Sequence, residues 1–143
     1  MLMEKGVNLL SNNLPKVISP KTHAIIDYAV VAGGFFAVAG IAWKSHKKAA
    51  IASLACGIAE TTIAMITDYP GGVGINAISF PTHGKIDAGS AAVFGTLPNL
   101  IGFADEWPGW FFRSHALAQA TVTGLTDFTG ERERVRDRGY RAA

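Results

Sequence analysis

The sequence predicts an all-α fold, an integral membrane four-helix bundle made of two parallel-repeat helical hairpins, and three observations predict it. Apolar residues make up 49% of the 143, yet the charges crowd into residues 1–21, the loop 44–48 and the tail after Thr129, the segregation expected of a chain whose middle lies in lipid. Several apolar runs are long enough to cross the hydrocarbon layer. The chain also repeats itself: Thr-His-x-x-Ile-Asp stands at 22–27 and again at 82–87, each time at the mouth of an apolar run.

The chain reads as one membrane domain over 1–143. Residues 1–21 hold no apolar core of the kind a signal peptide needs, and Val7 to Leu10 and Leu14 to Ile18 suit a segment lying along the interface. The first span, 24–43, carries only Asp27 as a charge, and the second, 49–67, only Glu60. Between them lies the basic loop KSHKK. Gly71 to Gly74 lacks the preceding strand and the following Lys-Ser/Thr of a phosphate loop, so it reads as a flexible link between repeats. The third span, 86–104, includes Asp87, Asn99 and Pro98, and Pro98 predicts a kink because it removes a backbone donor. Trp107, Trp110, Phe111 and Phe112 read as an interfacial aromatic belt, with 106–113 as the boundary between spans three and four. The fourth span, 111–128, is too polar to be recognised by hydropathy. The tail, 130–143, alternates its charges and reads as solvated and basic. Cys56 is alone, which excludes a disulfide within the chain.

The repeat supports the fourth span. ETTIAMITDYPG from Glu60 parallels QATVTGLTDFTG from Gln119, so Thr67-Asp68-Tyr69 matches Thr126-Asp127-Phe128. Two hairpins follow, at 22–69 and 80–129, each opened by His-x-x-x-Asp and closed by Thr-Asp-aromatic. Since each hairpin crosses twice, both start from the same side, and the halves are related by an axis along the membrane normal. Thr22 and Thr82 read as N-caps, with Pro20 and Pro81 suited to helix starts. Lys5, Lys16, Lys21, Lys85 and the five tail arginines lie on the repeat-motif side. The positive-inside rule then puts both termini in the cytoplasm, for a protein of a bacterial inner membrane.

In this topology His23, Asp27, Asp68, His83, Asp87 and Asp127 converge on one layer. His and Asp four apart share a helical face. Asp68 and Asp127 stand at helix C-termini and His23 and His83 at N-termini, each disfavoured by its own helix dipole, so the acids are expected to pair with imidazoles across helix ends. Glu60 and Gln119 lie two turns deeper, and Glu60 must face the bundle interior. His46 and His115 read as solvated, near loop ends.

No nucleophile, base and orienter form a recognisable set, and the sequence leans away from an enzyme. The expected function is an accessory, scaffold or assembly subunit of a membrane complex, because Gly33, Gly34, Gly40, Gly57 and Gly89, with many alanines, let helices approach closely. The partners this implies are the lipid bilayer and a second copy or other membrane subunits, with no nucleic acid. A second expectation is a haem- or metal-binding redox protein using His23 and His83, since two imidazoles from related helices suit a haem iron and two His with carboxylates suit a transition metal. A third is proton or ion translocation through Glu60. The segments PKTHAIIDY, PTHGKIDAG and LPNLIGFAD resemble those of small bacterial membrane proteins of the SPW-repeat type, over residues 19–130, although Ser19-Pro20-Lys21 stands where that signature has Ser-Pro-Trp. The resemblance implies paired helices per repeat and no particular activity.

Overall fold

In the computed structural model, which describes residues 14–70 and 75–129, the chain forms four helices: α1 (Pro20–Ala42), α2 (Lys47–Ile66), α3 (Phe80–Ile101) and α4 (Trp107–Leu125). The all-α expectation holds. Residues 1–13, the Gly71–Gly74 link and the tail from 130 lie outside the described residues.

Serine, not threonine, starts the first helix of each half. The Ser19 and Ser79 side chains accept from the backbone N–H of Thr22 and Thr82, satisfying one of the free amides at a helix start. Pro20 and Pro81 fill the first helical positions, where a missing N–H is harmless. The repeat therefore reads Ser-x-x-Thr-His-x-x-x-Asp, three residues longer on its N-terminal side than the Thr-His motif alone.

Two short pairings close the halves onto each other. After α2, β1 (Thr67–Asp68) runs parallel to β2 (Ile78–Ser79), the segment that leads into α3. In the same manner Ile18, just before α1, bridges to Thr126, just after α4, through Ile18 N–H to Leu125 O and Asp127 N–H to Ile18 O, each 3.0 Å. Thus the start of each half is hydrogen-bonded to the end of the other. Leu14 to Ser19 follow the end of α4, where Lys16 Nζ also donates to Gly124 O at 2.6 Å.

One irregularity accounts for a discrepancy in the repeat. His23/His83 and Asp27/Asp87 are 60 residues apart, whereas Thr67/Thr126 and Tyr69/Phe128 are 59 apart. Repeat one contains a single extra residue, and α1 absorbs it in a π-helical turn at Asp27–Ala32, the form a one-residue insertion takes inside a helix. Beyond this turn the two halves are back in step: Phe35 and Phe94, 59 apart, are both buried and meet at 4.8 Å between ring centroids.

Below the motif end, Phe35, Phe94, Phe103 and Phe112 fill the core with Val31, Ala49, Ala52 and Ala116. α1 packs mainly on α2 and α3 mainly on α4. Pro98 sits buried inside α3, which ends at Gly102 in the left-handed conformation (φ 82°), a position that favours glycine. Trp107 to Arg113 are the first turns of α4 rather than an interhelical boundary; the connection is the shorter 102–106 turn. Outward faces are apolar: Ile41, Leu100, Leu117 and Trp110 are 66–79% exposed. Among the described residues, only α1 and α2 are long and apolar enough to cross a membrane by length and composition, and 29% and 39% of their most apolar windows are buried within the chain.

Glycine tolerance follows from this packing. A Cβ on Gly109 lies 2.6 Å from the carbonyl oxygens of Phe103 and Ala104, while one on Gly89 meets nothing within 4 Å. Gly109→Ala is expected to destabilise by about 1–3 kcal/mol and Gly89→Ala to stabilise by about 0.5–1 kcal/mol, as read from thermal unfolding of the purified chain.

Candidate metal centre

The helix starts carry His23 and Asp27 on one face of α1 and His83 and Asp87 on one face of α3, one turn apart in each case. All four side chains are buried or nearly so, and all converge. His23 Nε2 lies 3.3 Å from His83 Nε2, 3.1 Å from Asp87 Oδ2 and 3.4 Å from Asp27 Oδ2. His83 Nε2 lies 3.0 Å from Asp27 Oδ2 and 3.2 Å from Asp87 Oδ2. In both imidazoles the shorter carboxylate contact reaches across to the other half.

The outer ring nitrogens decide the protonation pattern. His83 Nδ1 is 2.9 Å from Thr67 Oγ1, and that hydroxyl donates to Ile63 O at 2.6 Å. Likewise His23 Nδ1 is 2.8 Å from Thr126 Oγ1, which donates to Val122 O at 2.7 Å. A carbonyl only accepts, so each hydroxyl proton goes to the carbonyl one turn back and each threonine oxygen accepts from an Nδ1–H. Hence Nδ1 of both rings carries a proton, and Nε2 is the nitrogen that each ring turns toward the two carboxylates. The chain that orients each imidazole comes from the opposite half: Thr126 for His23, Thr67 for His83.

Four donor atoms aimed at one point suit a cation. Corners of a regular tetrahedron are separated by about 1.63 times the centre-to-corner distance, so Zn–N and Zn–O bonds of about 2.0–2.1 Å require edges of about 3.3–3.4 Å. Five of the six edges span 3.0–3.4 Å, and the sixth, between the two carboxylates, is bounded by the 4.8 Å within which all four donor atoms lie. Two carboxylates and two neutral imidazoles balance a divalent charge, which a buried site requires. Without a cation, one proton on His83 Nε2 can be donated to Asp27 Oδ2 at 3.0 Å, whereas protons on both rings set two N–H groups 3.3 Å apart. A haem iron between two axial imidazoles needs the nitrogens about 4 Å apart with a macrocycle in the plane between them; here the carboxylates occupy that space.

Aromatic side chains close the centre. Phe80 and Phe128 meet the His23 ring edge-on at 5.4 and 5.3 Å, and Tyr69 meets His83 at 5.4 Å. Tyr69 and Phe128 occupy equivalent places, so the lid differs between halves by one hydroxyl, and Tyr69 Oη donates that proton to Asp27 Oδ2 at 2.5 Å. Burial, reinforced by the Asp27 carboxylate, pushes the Tyr69 phenol far above its ordinary range, so it remains a donor.

Of the expected polar layer, His23, Asp27, His83 and Asp87 come together, and Asp68 and Asp127 do not join them. Asp68 is exposed; Asp127 Oδ1 turns to the backbone N–H and hydroxyl of Thr129. The dipole argument points to the correct helix ends but selects the wrong residue, because the side chain just before each acid, Thr67 or Thr126, is the one that faces inward. Glu60 and Gln119 are buried as expected, with Ser90 of α3 beside Glu60. His46 is not simply solvated: Nδ1 meets Glu106 Oε2 at 2.6 Å, tying the 43–46 loop to the start of α4. His115 is buried, 7% exposed, among Phe35, Phe94 and Phe111. Thr67, Thr126 and Tyr69 are the site residues that residue type alone misses; their signal is recurrence of Thr-Asp-aromatic in both copies.

Compared with known families, curated proteins and solved structures, the chain matches none of them.

The crossed threonine contacts have a spectroscopic signature. In ¹⁵N spectra of histidine-labelled protein, both His23 and His83 are expected as Nδ1–H tautomers. Thr67→Val is expected to perturb His83 more than His23, although His23 belongs to its own half, and Thr126→Val to do the reverse. Loss of the acceptor for a buried N–H costs about 1–3 kcal/mol in each variant. Nε2–H tautomers in the wild type would contradict the proton assignment.

Proposed function

We propose that this chain is a small membrane protein that binds one divalent transition-metal ion, of the tetrahedral N/O-ligated class to which zinc belongs, through His23, Asp27, His83 and Asp87. The observation that carries this reading is the set of Nε2 and Oδ2 edges at 3.0–3.4 Å, joined to threonine contacts that leave both Nε2 atoms free to ligate. Carboxylates and imidazoles favour this class of cation over the soft ions that thiolates select.

Four protein ligands complete a tetrahedron, and a closed set is the mark of a structural ion rather than of a catalytic one with an open position. Each half contributes two ligands and the threonine that orients the other half's histidine. The ion thus fastens two hairpins into one body, in keeping with a scaffold or assembly subunit rather than an enzyme. The bilayer reading is supported by the exposed apolar faces of all four helices and by spans buried over less than half of their apolar windows; a core helix of a water-soluble domain hides most of its apolar surface. Lys16, Lys21 and Lys85 at the motif end, with the arginine-rich tail, support an orientation with both termini in the cytoplasm.

The full chain, expressed in membranes and purified without chelator, is expected to resist carbonate extraction and to hold about one equivalent of metal per chain. Cobalt(II) loaded in its place should give the intense visible bands of tetrahedral coordination. Both signals should vanish in His23→Ala and Asp87→Ala, and Thr67→Val should weaken metal affinity roughly 10–100-fold. Because protons compete for the same donor atoms, affinity should fall as pH is lowered. A wild-type protein that neither retains nor takes up a divalent ion would overturn the assignment.

A further inference from the structure

Among the described residues, four buried side-chain atoms have no hydrogen-bond partner: Ser53 Oγ, His115 Nε2, Gln119 Oε1 and Thr123 Oγ1. Three of them lie on α4 at successive four-residue intervals, which places them on one stripe about 6 Å apart along the axis. His115 and Gln119 are each 7% exposed.

The pseudosymmetry explains how these groups lost their partners. Gln119 is the counterpart of Glu60, which stands beside Ser90 of α3, a serine whose hydroxyl donates to Ile86 O at 3.1 Å. Within the π turn, the residue of α1 that matches Ser90 is a valine by either offset, Val30 or Val31, with no polar group to offer. His115 stands where the first half has Cys56, and its ring is walled by Phe35 and Phe111 at 4.6 and 5.4 Å. Thr123 breaks a local habit: Thr61, Thr62, Thr121 and Thr126 each donate to the carbonyl one turn back, and Thr123 does not.

An unmet buried polar atom costs about 1–3 kcal/mol, and three on one stripe are hard to sustain in a dry interior. Polar side chains set about 6 Å apart along a helix axis suit bridging by one or two waters, each of which needs two or more polar partners. We propose that the inner stripe of α4 binds a connected file of water molecules, entering on the His115 side and ending at Thr123, one turn before Thr126 and its contact with His23. Such a file carries water from the loop end of the bundle to within one turn of the Thr126–His23 contact. The inference does not require a cation at the centre.

Water-edited NMR of the isotopically labelled full chain in lipid tests it. Magnetisation from water should reach the His115 ring, the Gln119 side-chain amide and Thr123 sooner than the Phe35 and Phe94 rings. In Gln119→Leu the transfer should be lost at Thr123 and kept at His115; Gln119→Met serves as a second, more flexible apolar replacement. The idea is wrong if the three polar side chains in the wild type are reached no sooner than the two phenylalanines. It is equally wrong if Thr123 stays wet in both variants. Metal content is not part of this readout, so either proposal can fail while the other stands.

Discussion

Everything at the polar end of the bundle depends on where two hydroxyl protons go. Thr67 and Thr126 stand at helix ends where a carbonyl one turn back takes the hydroxyl proton, leaving an oxygen that can only accept. Each therefore holds a histidine by Nδ1–H and points the other nitrogen inward. The carboxylates one turn along α1 and α3 meet those nitrogens, and the lid of Phe80, Phe128 and Tyr69 keeps water from replacing the contacts. Were either hydroxyl to donate to its histidine instead, that ring would present an N–H to the centre, with two effects: a lost lone pair and an unmet carbonyl.

Duplication makes this arrangement economical. A single half supplies one imidazole, one carboxylate and one threonine, but the threonine reaches the wrong histidine to complete a centre alone. Only crossing two copies brings the sets together, and the paired segments Ile18 with Thr126 and Thr67 with Ile78 hold the crossing in register. The π turn in α1 lets a one-residue insertion pass without disturbing either the ligands before it or the Phe35–Phe94 contact after it. Several polar departures from symmetry lie in the interior: Tyr69 against Phe128, Ser90 against a valine of the π turn, Glu60 against Gln119, Cys56 against His115. They give the interior two unlike sides around a nearly symmetric centre.

The remainder of the molecule places apolar surface both inside and out. Phenylalanines interlock in the core while Leu100, Leu117 and Ile41 face outward. On the membrane reading the solvent for those outward faces is lipid, and hydrophobicity then does not distinguish inside from outside; small residues and buried polar groups do so instead. Gly84, for example, leaves space against which Phe128 packs, a Cβ there falling 2.6 Å from the ring, and this contact seats one side of the lid.

What the sequence by itself determined is whatever depends on spacing along one helix. The clearer apolar runs, the one-turn separation of His from Asp, and the pairing of two similar halves that supplies the fourth helix follow from residue order, because a helix repeats every 3.6 residues wherever it lies. The convergence of His23, Asp27, His83 and Asp87 followed from the duplication. Only the tertiary structure decided that Thr67 and Thr126, rather than Asp68 and Asp127, orient the imidazoles, since adjacent residues beyond a helix end point in different directions and the backbone there is extended. Burial of His115 and capture of His46 by Glu106 were likewise beyond local reading: each depends on a side chain from another helix or loop, and the crossing of the halves, not the spacing within them, sets which groups meet.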